Sequence, residues 1–136
     1  MEDTASDERN IILRTIAMPA DTNPNGDIFG GWIMSQMDIA GGIMAKEVAK
    51  GRVATVAVES MKFMKPVRVG DVVCCYGKLV SVGDTSIRIH LQVWVKPILH
   101  NNEDKRGTRF QVTEADFIFV AIDEQGNKRI ITPAAA

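Results

Sequence analysis

The clearest periodicity lies late in the chain. Ile87, Ile89, Leu91, Val93 and Val95 alternate with Arg88, His90, Gln92, Trp94 and Lys96, a period of two that predicts a half-buried strand over 87–96. Residues 71–82, which include the adjacent Cys74 and Cys75, predict a strand before it, and Gly83-Asp84 between the two is hairpin chemistry. Short apolar or β-branched runs predict two further strands, one over 11–18 ending at Pro19 and one over 53–59. Residues 61–66 are expected to break the second of these. A last strand is predicted over 108–122, and the charged, Asn-rich 97–107 reads as a loop before it.

Between the first two strands the pattern changes. Asn23-Pro24-Asn25-Gly26-Asp27 is turn chemistry, because Pro fixes φ, Gly permits positive φ, and Asn or Asp bonds its own backbone. From 29 to 45 the residues are helix-compatible and almost wholly uncharged. Lys46, Glu47 and Lys50 then supply the first solvated positions and Gly51 a C-terminal stop. A helix apolar on every side is expected to be buried, and strands with hairpin connections can bury it only by wrapping it in one sheet. The pattern therefore predicts an α+β architecture: one long central helix and a curved antiparallel sheet of about five strands. His90 and Trp94 make the outer face of that sheet too amphipathic for full solvation, which points to assembly. Pairing of sheet edges into a dimer would also remove exposed edges.

Composition narrows the class. The chain has 136 residues, 46% of them hydrophobic, and a net charge of −1, which suits a single globular core. We expect a polar head over 1–10, one domain over 11–131 and a tail over 132–136. No basic excess suggests a nucleic-acid or membrane partner. The head lacks a signal pattern and no run is long enough to span a bilayer, so a cytoplasmic location is expected. Cys74 and Cys75 are neighbours in a strand and point to opposite faces, so they read as reduced packing residues. His90 reads as a sheet-face residue and His100 lies in a loop without metal-ligand spacing. No metal and no cofactor is expected.

Two features of the helix carry chemistry. Asp38 is the one charged side chain in the apolar run, and a carboxylate in such a setting needs a partner or a task. Gly30 and Gly31 each forfeit about 1 kcal/mol of helix propensity. In return they leave bare N–H groups at the positive end of the helix. An Asp in a helix is more often a satisfied structural group, and a Gly-Gly pair more often a packing device; their occurrence together after an Asn-rich turn favours a site. Gly31 and Asp38 lie roughly 10 Å apart along the axis at 1.5 Å per residue, too far for one small reacting group. Two antiparallel helices across a dimer axis would bring Asp38 of one protomer to the other's helix start. Met34, Met37 and Met44 suit either an ordinary core or the wall of a pocket for varied apolar guests.

The wording Asp21-Thr-Asn-Pro-Asn-Gly-Asp-Ile-Phe-Gly-Gly-Trp-Ile-Met-Ser-Gln-Met-Asp38 resembles the signature of hot-dog-fold acyl-CoA thioesterases of the YciA type. The resemblance covers nearly the whole chain and weakens in the head, the 97–107 loop and the tail. It implies a hot-dog fold, acyl-CoA as substrate, and a dimer built into a hexamer as a trimer of dimers. It also implies that Asp38 acts as general base or nucleophile and that Asn23 positions water or substrate. On the residues themselves, Gly31, with Gly30, is expected to supply oxyanion donors. A shorter match over 61–71 and another at Gly83-Asp84-Thr85-Ser86 point to substrate contacts at Phe29, Lys62, Phe63, Lys65, Arg68, Thr85 and Ser86, and the phosphates of CoA add Arg106 and Arg109 as candidates. A hot-dog dehydratase would want a His near the helix start, and none is there. A non-catalytic acyl-CoA-binding or sensing module is the alternative, since fold alone does not decide activity.

Overall fold

The alternation over 87–96 lands on the central strand. The structure, a computed structural model, describes residues 11–97 and 108–131. In chain order it has β1 (Ile11–Ile16), a 3-10 turn (Pro19–Asp21), α1 (Gly30–Ala49), β2 (Val53–Phe63), β3 (Val72–Val82), β4 (Ser86–Lys96) and β5 (Phe110–Ala121). The strands form one five-stranded sheet in the order β1-β3-β4-β5-β2, and every neighbouring pair is antiparallel. Ile87, Ile89, Leu91, Val93 and Val95 are fully buried on the inner face, each worth about 1.5–3 kcal/mol of apolar transfer. The expected architecture is the observed one.

Small residues set how closely α1 lies on the sheet. A Cβ at Gly41 would fall 2.8 Å from Phe119 Cζ and 2.9 Å from Leu91 Cδ1, so the helix backbone touches the sheet's side chains directly there. Ile33, Met37, Ala40, Ala45 and Ala49 fill the rest of the seam. At the far end, Arg129 donates through Nη2 to the carbonyl of Ala49 at 2.9 Å and through Nε to that of Ile122 at 3.0 Å. A cation there satisfies an orphan carbonyl and complements the helix dipole.

Four expectations need correction. The helix is not buried on all sides by its own chain: Met34, Ile39 and Ile43 are exposed, and so is Asp38. One face packs on the sheet and the opposite, still apolar face does not. The helix ends with Lys50 in the left-handed region at φ 56, its N–H bonded to Lys46, so the cap falls one residue before Gly51. Residues 61–63 continue β2 rather than breaking it, since the chain takes up its two register shifts against β5 as bulges; Ser60, at φ 59, sits in the second. The first strand ends at Ile16, before the 3-10 turn.

The outer face of the sheet carries charge in pairs. Arg88 Nη1 bonds Glu59 at 2.8 Å and Asp116 at 2.9 Å, while the His90 ring nitrogens lie 2.7 Å from Asp116 and 3.0 Å from Glu114. Burial pushes the Asp116 carboxyl upward, but the hydrogen bonds from His90 and Arg88 outweigh it and hold the group below the usual carboxylate range. No described helix is long and apolar enough to cross a membrane. The head, the tail, His100 and Arg106 lie outside the described residues.

Candidate active site

The Asn-rich turn is folded around one side chain. Asn23 Oδ1 accepts from the N–H of Asn25 at 2.9 Å and of Asp27 at 3.1 Å, and the Asn23 N–H donates to the carbonyl of Asp27. Gly26 takes the positive φ, 89°, that closes the loop. With its oxygen committed to the turn, Asn23 has only its amide N–H groups left to offer a ligand.

The turn delivers the chain to α1 without a side-chain cap. Phe29 is the N-cap and makes no side-chain hydrogen bond to the helix. Its carbonyl accepts from Trp32 and Ile33, whereas the N–H groups of Gly30 and Gly31 bond to no carbonyl among the described residues. These are the orphan donors of a helix start. Gly31 is open, with nothing within 4 Å of where a Cβ would stand, while a Cβ at Gly30 would lie 3.3 Å from the Phe63 ring.

Asn23 and Gly30 line one cleft of about 300 Å³. Its floor is apolar and buried, formed by Ile28, Ile33 and Val67. Asp27 and Lys65 add polar groups, and Phe63 and Met64 stand half-exposed at the side. Phe29, 50% exposed, lies just before the helix start.

Asp38 is elsewhere, on an exposed flank of α1. Its Oδ1 accepts from the Thr55 hydroxyl at 2.6 Å, which fixes the carboxylate against the edge strand β2. Thr55 was not singled out in the sequence, where it reads as one β-branched residue of a strand. Two turns of helix separate Gly31 from Asp38, and Asp38 does not line the cleft. A single chain therefore keeps two features apart: the open N–H groups at the helix start and an anchored carboxylate further along.

The remaining candidates are scattered over the chain. Lys65 borders the cleft and lies 5.5 Å over the Phe110 ring. Arg68 is exposed, and its N–H holds Asp71 Oδ2 at 2.9 Å. Lys62 borders a shallow hollow with Ser60, His90 and Glu114 instead. Thr85 and Ser86 sit at the β3–β4 hairpin, where the Thr85 carbonyl accepts from Ala121. Arg109 donates to the Tyr76 hydroxyl at 2.9 Å and lies over the Trp94 ring at 5.1 Å. Both cysteines are free and buried, and burial pushes the Cys75 thiol up to about 12, far from a reactive thiolate.

Comparison with known proteins gives this arrangement its context. The sequence model of the thioesterase superfamily matches residues 25–99, from the turn through β4. The chain is 57% identical over 122 residues to the acyl-CoA thioester hydrolase YciA of Escherichia coli, covering 90% of each chain. It is 60% identical over 121 residues to an uncharacterized acyl-CoA thioester hydrolase of Haemophilus influenzae, covering 89% of this chain and 77% of that one. Among solved structures it is similar to HI0827, a hexameric broad specificity acyl-coenzyme A thioesterase, with 59% identity, a TM-score of 0.83, and 90% and 81% of the two chains covered. It is also similar to the hexameric thioesterase y2039 from Yersinia pestis, with 54% identity, a TM-score of 0.81, and 91% and 96% covered. A five-stranded antiparallel sheet around one helix, an open helix start beside Asn23, and identity above half along most of the chain agree: the chain belongs to the hot-dog thioesterase superfamily, within its YciA-type acyl-CoA thioester hydrolases.

Proposed function

We propose that the protein hydrolyses acyl-CoA thioesters to a carboxylic acid and free CoA, over a broad range of acyl groups, in a site completed by two protomers. The observation that carries this reading is the open helix start. The N–H groups of Gly30 and Gly31 bond to no carbonyl among the described residues, and Gly30 shares the cleft with an Asn23 whose oxygen is already committed, which is a donor set suited to a thioester carbonyl. Hydrolysis places negative charge on that oxygen, and each donor aimed at it lowers the barrier by about 3 kcal/mol. Asp38, held by Thr55, either deprotonates water or attacks the carbonyl carbon itself; in both cases the CoA thiolate leaves and a water oxygen ends in the acid.

The separation of the half-sites supports a dimeric site. The exposed apolar side of α1 that carries Ile39 and Ile43 suits packing against the same side of an antiparallel second helix, an isologous contact. Asp38 of one protomer then faces the partner's Asn23 and Gly31. A hexamer built from such dimers follows the relatives named above. Arg68, exposed and outside the lining of the cleft, is a described cation available to the CoA phosphates.

The direct test is thioester absorbance with purified protein and acetyl-, octanoyl- and palmitoyl-CoA, beside Asp38→Ala. Turnover in the parent with a loss of about a hundredfold or more in the variant is the expected result for a general base. Binding of acyl-CoA without turnover of any of them would support a sensing module instead.

A further inference from the structure

The cleft beneath the helix start has a lining of two kinds, and the difference says which part of the substrate enters it. Its polar groups, Asn23, Asp27 and Lys65, contrast with an apolar floor of Ile28, Ile33 and Val67 that is at most 5% exposed. Pantetheine carries two amides, and burying them on such a floor would leave hydrogen-bonding groups unpaired. An acyl chain beyond its carbonyl has no such groups. With the carbonyl at Asn23 and the glycine N–H groups, the chain is the part that fits the floor.

One wall of this cleft meets the helix start. Phe63 ends β2, just past the register shift near Ser60, and its side chain is 50% exposed. Its ring lies over Gly30 so closely that a Cβ there would stand 3.3 Å from Cζ and 3.6 Å from each Cε. The tip of the ring thus meets bare backbone, and half of the residue is open to solvent. A wall packed on both sides could not yield, because interiors are close-packed; this one can swing outward at the cost of its contact with Gly30.

We propose that Phe63, seated on the bare Gly30 backbone, is the movable wall that sets which acyl groups the cleft accepts. The proposal rests on the thioesterase reading given above and adds the residue that determines acyl size. Short acyl groups lie beneath the ring, and longer or branched ones displace it. The missing Cβ of Gly30 is what allows the closed position.

The test is kcat/KM for acetyl-, butyryl-, isobutyryl-, octanoyl- and lauroyl-CoA with the parent, Phe63→Ala, Phe63→Trp, Gly30→Ala and the double variant Gly30→Ala/Phe63→Ala. Ratios between substrates are read, so a general loss of activity or of folded protein cancels. Removing the ring is expected to raise the lauroyl-to-acetyl ratio about tenfold or more, the scale of a single methylene in an apolar pocket. Phe63→Trp is expected to lower that ratio and Gly30→Ala, whose methyl holds the ring out of its closed position, to raise it; the Gly30 effect should vanish once Phe63 is absent, since neighbours in contact are non-additive. Variants that change all substrates in the same proportion would overturn the proposal and leave the hydrolase reading intact. A parent with no turnover of any thioester would overturn both.

Discussion

Asp38 and Thr55 meet at 2.6 Å across a helix and an edge strand, and that contact is the residue-scale test of the site. A hydroxyl donating to an ionised carboxylate is worth about 1.5–3 kcal/mol. Thr55→Val is therefore expected to lower kcat about tenfold or more with little change in KM, while Thr55→Ser keeps most of the activity; steady-state kinetics on one short acyl-CoA reads both. A second residue-scale expectation concerns acid stability. The Asp116 carboxyl is held below its ordinary range by His90 and Arg88, so the stability it contributes is present above about pH 4 and is lost as pH falls through its lowered folded value. Urea unfolding at pH 7 and again below pH 4 should show the gap between the parent and Asp116→Asn narrowing in acid. Asn23, Gly30 and Gly31 were legible in the sequence because turn residues and helix-start glycines act locally. Thr55 was not, because its partner lies seventeen positions earlier and its own type is unremarkable in a strand.

At the scale of elements, α1 is the informative case. Its length and its central place follow from a long uncharged run, but an apolar face meant for a second chain looks the same in sequence as one meant for the core. That is why burial on all sides was expected and one-sided burial observed. The end of β2 was misread for a related reason: bulges let a strand continue through residues whose periodicity has slipped, so Met61 and Phe63 stay in the sheet. Gly41 reports on the helix–sheet spacing. Gly41→Ala would press a methyl against Phe119 and Leu91, and overpacking of this kind costs about 1–3 kcal/mol. Chemical denaturation should show that loss, whereas alanine at Gly31, which faces open space, should leave stability near that of the parent.

At the scale of the whole molecule, a site completed by two protomers would tie activity to assembly through the outward face of α1. Ile43→Lys places a charge on that face, away from the cleft and from Asp38. It is expected to shift the protein toward the monomer in light scattering and to lower kcat/KM in step with the monomer fraction. Recovery of activity at high protein concentration would mark dissociation, rather than misfolding, as the cause.

The two turns of helix between the glycine donors and Asp38 have a further consequence, at the level of gene copies. If each site draws one half from each subunit, a chain defective only at Asn23 and a chain defective only at Asp38 are both inactive alone. When the two are made together, a mixed pair contains one site with both faults and one with neither. Two dead alleles would then restore each other in the same cell, and the recovered activity would approach half that of the parent in every mixed pair.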